Sequence, residues 1–320
     1  MRIRPLLALS AVAITGVLLA GCASTPDEPE VTSTPDANCM LDAAPGSDSD
    51  AIEVEGTAPT FTATVPEGLE FADIQRTVIS EGTGDDLQVG DLVSGSYTVL
   101  DATTGDVLTD SSTQSPDDTG FVPMLLDAQN YSIFVAALEC LPAGSTVAMT
   151  IPGSAFGDGG TPVAIIASSS ERLSTRAEGE AQDPVDGMPT VELADDGAPT
   201  ITLPGGDAPT EVQIAELKVG DGPVVEPGDT AFVQYTGVKW SDGTVFDSSW
   251  DRGSAAAFST TGVVDGFRQA LEGQTVGSQV LVVIPPAFAY GEGEINENDL
   301  TGETLVFVVD ILGVERAVTG

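Results

Sequence analysis

Apolar residues in the last third of the chain gather in short β-rich runs, Ala231–Tyr235, Gln279–Ile284 and Thr304–Leu312, each bounded by Gly, Pro or acidic turn residues. These boundaries and this composition predict strands. Asp242-Gly243 between two such runs predicts a hairpin turn. Phe267, Ala270 and Leu271 stand at i, i+3 and i+4, one face of a short helix, with Asp265 as its N-terminal cap and Gly273 as its stop. One short helix among several strands predicts an α+β fold, a curved antiparallel sheet wrapped on that helix.

The same pattern occurs twice. Ala58-Pro59-Thr60 recurs as Ala198-Pro199-Thr200, Gly90-Asp91 before Tyr97 as Gly228-Asp229 before Tyr235, and Phe134–Glu139 as Phe267–Glu272. Thr150-Ile151-Pro152 matches Val283-Ile284-Pro285. Two copies of one fold account for this. Residues 58–173 are read as the first domain and 197–315 as the second, with a polar, Pro- and Gly-containing linker at 174–196, in which Val191–Leu193 could add a short strand, and a tail at 316–320.

Ahead of both copies, Arg2 and Arg4 precede a mostly apolar run from Leu6 to Ala20, too short to span a bilayer and of signal-peptide form. It ends Leu19-Ala20-Gly21-Cys22, which resembles the lipobox of bacterial lipoproteins. The resemblance implies removal of residues 1–21, lipidation of Cys22, and a lipid-anchored position on the outer side of the cell membrane. Residues 22–57, rich in Pro, Ser, Thr, Asp and Glu, read as a tether. In an oxidising compartment the two remaining cysteines, Cys39 and Cys140, are read as a disulfide, the alternative being two separate buried thiols.

Charge and composition narrow the chemistry. The formal charge of −40, from 50 acidic and 10 basic residues, excludes a nucleic-acid partner, which needs clustered Lys and Arg. Histidine is absent, which removes Ser-His and Cys-His nucleophiles and histidine metal sites. The loop at 292–300 carries Asn296, Asn298 and Asp299, with Glu303 beyond, but their spacing is not that of a calcium loop. No metal and no cofactor is expected.

The second copy resembles the FKBP-type peptidyl-prolyl isomerases. The resemblance runs through Val233-Gln234-Tyr235-Thr236-Gly237, Asp242 to Ser249, Val263 to Phe267, Ile284 to Gly291 and Leu305-Val306-Phe307. It implies an apolar cup of Tyr235, Phe246, Val263, Val264, Phe267 and Phe307, with Phe267 as floor where the family usually has tryptophan. Asp247 is placed at the rim, Arg252 pairing with it and orienting Tyr235, and Tyr290 as a hydroxyl donor. Ala256 replaces an aromatic wall, and Leu300 is the apolar residue left for the lip, so affinity for a macrolide-type ligand is expected to be reduced. The first copy has Leu108, Thr109 and Phe156 where the second has Phe246, Asp247 and Tyr290, and reads as inactive. The resemblance implies an isomerase acting on proline-containing exported polypeptides through its second domain. The alternative is a non-catalytic chaperone or binding module of the cell envelope.

Overall fold

A computed structural model of the chain describes residues 43–66, 69, 71–127, 133–157, 159–295 and 300–317. The first half begins with a helical turn, α1 (Ser47–Asp50), and a hairpin of β1 (Glu53–Thr57) and β2 (Thr60–Thr64). Then come β3 (Gln75–Ser80), β4 (Leu92–Asp101), β5 (Val107–Asp110), β6 (Val122–Leu125), α2 (Ile133–Leu138), β7 (Thr146–Ile151) and β8 (Val163–Arg172). Their antiparallel sheet runs β3-β7-β8-β4-β5, with β6 also on β4.

Side chains alternate between its faces as a pleat requires. Val147, Met149, Ile151, Ile165 and Ala167 turn towards α2, whereas Ala148, Ala164 and Ile166 turn the other way, onto Phe61 of the hairpin.

The second half repeats the plan. It contains β9 (Glu180–Ala181), the hairpin β10 (Thr190–Leu193) and β11 (Pro199–Thr202), then β12 (Gln213–Val219), β13 (Thr230–Lys239), β14 (Val245–Ser248), α3 (Ser249–Arg252), β15 (Ala256–Ser259), α4 (Asp265–Leu271), β16 (Gln279–Ile284) and β17 (Leu305–Glu315). The sheet runs β14-β13-β17-β16-β12-β9, with β15 also on β13. Val280, Val282, Ile284, Phe307 and Val309 face α4, while Leu281, Val283, Val306 and Val308 pack under the β10/β11 hairpin with Ile201 and Met188. The strands and helix expected in the second half are therefore present.

Three boundaries differ from the sequence reading. Part of the stretch read as a tether is folded: Ala44 O accepts from Arg76 N at 3.1 Å, Asp48 N donates to Gln75 Oε1 at 2.9 Å, and β1 lies within it. The stretch read as a linker carries β9 as well as the short strand read at Val191–Leu193, which is present as β10, and Arg316 and Ala317 of the tail are bonded to Asp229. Polar composition records missing apolar side chains, but Ala44 and β9 are held by main-chain bonds to the sheet edges β3 and β12, and β1 and β10 by their hairpin partners β2 and β11, which composition does not register. Asp265 is likewise not the cap of α4. Val264 holds that position, and Asp265 lies in the first turn, bonded to Arg268 and Gln269.

The halves are docked. Leu92, Phe232, Ala255 and Leu312 form a small buried cluster, flanked by Leu125 and Leu173. Arg316 crosses the junction: its N–H donates to Gln114 O at 2.9 Å, Nη2 to Pro116 O at 3.2 Å, and Nη1 to Val224 O at 2.9 Å and to the buried Asp229 carboxylate. Cys140 is disulfide-bonded; Cys22 and Cys39 lie outside the described residues. No helix among the described residues is long and apolar enough to cross a membrane.

Removing Arg316 leaves Asp229 buried without its charged partner. Arg316→Ala is expected to lower stability by about 3 kcal/mol, read as a lower urea midpoint with an unchanged slope.

Candidate active site

The site of the second half is built from the end of β13 outward. Gly243 adopts φ 72°, donating its N–H to Lys239 O at 2.8 Å, and so reverses the chain into β14. The pairing of β13 with β14 then slips: Gly237 faces Asp247 and Val238 faces Val245, leaving Phe246 as an extra, unpaired residue. A bulge of this kind re-aims its side chain. Phe246 is half-buried and meets Phe307 edge-on at 5.4 Å between centroids.

Around it stand Phe267, 5.0 Å from Phe307, and Phe258, 5.6 Å from Phe267 and 5.5 Å from Tyr235. Offset and edge-on contacts at these separations add to the burial of the rings. Val263, Val264 and Leu300 are half-buried against the same cluster, as are Phe288 and Ala289. The residues expected to form the cup thus converge.

Phe258 and Gly237 were not singled out from the sequence. Phe258 lies on β15 opposite Ala231, a position that alternation along Ala256–Ser259 would have marked. Gly237 matters for what it lacks: a Cβ there would lie 2.7 Å from the Phe246 ring and 2.8 Å from the Phe307 ring.

At the rim, Tyr235 Oη donates to Asp247 Oδ2, Arg252 Nη1 pairs with Asp247 Oδ1, and Arg252 Nη2 donates to Tyr235 Oη at 2.9 Å. The guanidinium lies 5.4 Å from the centre of the Tyr235 ring. α3 supplies this geometry by carrying Arg252 back over β13 before Gly253 ends the turn in the left-handed region. Burial, then the bond to Asp247, push the Tyr235 hydroxyl up to about 12, against the opposing effect of Arg252. The phenol is therefore neutral at physiological pH. Tyr290, just beyond the turn Pro286–Phe288, is 55% exposed. Asn296, Asn298 and Asp299 lie outside the described residues, and the Glu303 carboxylate accepts from Ser241 N and Oγ at 3.1 and 2.7 Å. Among the described residues no group of three or more His, Cys, Asp or Glu side chains is placed to hold a metal ion.

The first half shows the same frame without the cup. Val99 stands where Gly237 does and is buried; Leu108, at the matching bulge, is 54% exposed. Val99 occupies the space that a ring at position 108 would need. Met124 and Ile165 replace Phe258 and Phe307 in register, and Phe134 closes to 4.8 Å from Tyr97. Tyr97 Oη donates to Gln114 Oε1, and Gln114 Nε2 donates to Glu315 Oε1 of the other half at 2.6 Å. Burial, then the charge of Glu315, push the Tyr97 hydroxyl up to about 12.

Burial raises the Glu315 carboxyl above its ordinary 4.5. With the folded value above the unfolded one, its contribution to stability is complete below about 4.5 and is lost as pH rises through the folded value. Glu315→Gln is expected to flatten the rise in urea midpoint that the parent protein shows between neutral and mildly acidic pH. Gly237→Val is expected to expel Phe246 from the cup and to lower kcat/KM for a prolyl peptide by at least about tenfold, equivalent to ~1.4 kcal/mol, with the far-ultraviolet circular dichroism unchanged.

Comparison with known proteins places this geometry. Residues 222–312 match the model of the FKBP-type peptidyl-prolyl cis-trans isomerase family. The chain is 40% identical over 104 residues to the probable FK506-binding protein of Corynebacterium glutamicum, spanning 32% of this chain and 87% of that protein. It is 38% identical over 109 residues to the FK506-binding protein of Streptomyces anulatus, spanning 33% of this chain and 88% of the relative. Over 109 residues it is 34% identical to the outer membrane protein MIP of Legionella longbeachae, covering 34% of this chain and 46% of the other. The chain belongs to the FKBP-type peptidyl-prolyl cis-trans isomerase family.

Proposed function

We propose that the chain isomerises X-Pro bonds in exported polypeptides, that the second half alone performs the reaction, and that lipidation of Cys22 holds the protein at the outer face of the cell membrane. The observation that carries the reading is the contrast between the halves. The second has an aromatic cup with the Tyr235–Asp247–Arg252 triad at its rim, and the first has the same frame with Val99 and Gln114 in those places. An outer membrane protein among the relatives and the lipobox-like Leu19-Ala20-Gly21-Cys22 support the location.

The chemistry asks little of nucleophiles. An X-Pro amide turns over a barrier of roughly 18–20 kcal/mol because planarity must be given up, and no bond between heavy atoms is broken. A site lowers that barrier by fitting the twisted amide better than the planar one. Phe246, Phe267 and Phe307 supply an apolar seat for the proline ring, from which water is displaced. The Val264 N–H, at the head of α4, and the Tyr290 hydroxyl are assigned as donors to substrate carbonyls. Asp247 is assigned to the rim next to the twisting amide, fixed there by Arg252 and Tyr235. A macrolide-type ligand would occupy the same cup, weakened by the Ala256 wall and by Leu300 as the lip's apolar residue.

The test is a protease-coupled prolyl-peptide assay on the full-length protein. Tyr290→Phe removes one hydrogen bond, about 1–1.5 kcal/mol and so roughly tenfold in kcat/KM, and Asp247→Ala with Tyr290→Phe is expected to bring the rate near background. A folded double variant with parental turnover would refute the assignment to the second half.

A further inference from the structure

In the second half the sheet edge beyond β12 is covered by the chain that enters it. Residues 177–182 lie along this edge as an added strand. β9 pairs Ala181 with Lys218 and Glu180 with Val219, Gln182 N donates to Leu217 O at 2.9 Å, and Gly179 N donates to Gly277 O at 3.0 Å. Polar side chains hold the start of the segment: Ala177 N donates to Asp310 Oδ2 at 2.8 Å, and Lys218 Nζ donates to Ala177 O at 2.7 Å. Gln279 Nε2 donates to the other oxygen of the buried Asp310 at 2.6 Å.

Register identifies the same place in the first half. Ser80 pairs with Thr146 as Lys218 pairs with Gln279, and Thr146 pairs with Ser168 as Gln279 pairs with Asp310. Gly144 stands for Gly277 and Ile79 for Leu217. Among the described residues β3 is the outermost strand, and the segment before α1 covers only its start, through the bond from Arg76 N to Ala44 O. Further along, Val78 and Ile79 are 41% and 42% exposed. Beside them a cavity of about 460 Å³ runs between the edge and the β1/β2 hairpin, lined in part by Phe61, Ser80, Phe121, Thr146 and Ser168. The corresponding cavity of the second half measures about 270 Å³, and Ala181, Gln182 and Pro184 of the seated segment form part of its wall.

We propose that this groove of the first half binds an extended segment of a non-native client polypeptide as an added strand along Val78–Ser80. The groove's equivalent already holds a peptide in that way, and the carbonyls of Ile79 and Gly144 stand where those of Leu217 and Gly277 accept. Main-chain bonds of this kind supply affinity, and pockets beside the strand select side chains. The charged anchors Lys218 and Asp310 are replaced by Ser80 and Ser168, and no ionisable side chain among the described residues lines the cavity, so the ligand is uncharged, with small or apolar residues. A formal charge of −40 opposes a second copy of this chain as the occupant. The proposal does not rest on the isomerase reading of the second half; it gives the first half a holding role on the same molecule.

The experiment uses the full-length protein and a fluorescein-labelled, proline-free peptide of alternating serine and valine. Saturable binding by anisotropy is expected, with slowed amide exchange at residues 78–80. Ser80→Trp, which fills the groove, and Ile79→Lys, which places a charge at an exposed position, are each expected to weaken binding by at least about tenfold. Turnover of a short prolyl peptide should be unchanged in both. If Ser80→Trp fails to fold, Ile79→Lys carries the test alone. No saturable binding, binding indifferent to the variants, or exchange protection confined to the second half would overturn the proposal. So would binding that appears only after deletion of residues 23–38, which assigns the groove to the chain's own tether. Concentration-dependent dimers that Ile79→Lys abolishes would instead assign it to a second copy and overturn the client reading.

Discussion

Everything distinctive about the site depends on a missing Cβ. At Gly237 the backbone of β13 passes so close to Phe246 and Phe307 that a methyl group there would lie within 2.8 Å of both rings. Interiors pack too densely to absorb such an overlap without moving a neighbour. The bulge can therefore turn Phe246 inward only where position 237 is glycine. In the first half Val99 fills that space, the bulge persists, and Leu108 is turned out to solvent. Val99 for Gly237, with Met124 and Ile165 for Phe258 and Phe307, thus separates a lined cup from a closed core on the same frame.

A second constraint is electrostatic. In so acidic a chain three cations have restricted places. Arg252 holds Asp247 and Tyr235 together at the rim, Arg316 neutralises Asp229 at the junction, and Lys218 fastens the entering strand through a main-chain carbonyl. Where the first half lacks such a cation, its phenol takes a neutral partner, Gln114, which carries the contact on to Glu315. This end of the first half is so part of the joint between the halves, with Tyr97 packed on Phe134 and linked through Gln114 to Glu315.

Much of this was legible beforehand. Alternating apolar runs marked the strands of the second half, the i, i+3, i+4 pattern marked α4, and the family resemblance implied the pairing of Asp247 with Arg252, five residues on. Ordered blocks shared with a known family named the cup. Phe258, by contrast, stands two positions beyond Ala256, and its ring packs on Tyr235 and Phe267.

What the amino-acid sequence by itself determined is which residues are buried and in what order they recur, because hydrophobic period and turn chemistry are properties of neighbouring side chains. Tertiary structure alone decided which edges are covered and where rings point. Within the segment read as a linker, β9 became a strand because its main-chain donors and acceptors, alike at nearly every residue, found partners on the edge of β12 far along the chain. The direction taken by Phe246 or Leu108 was likewise set across the sheet, by the volume of the residue opposite, and no local pattern encodes it.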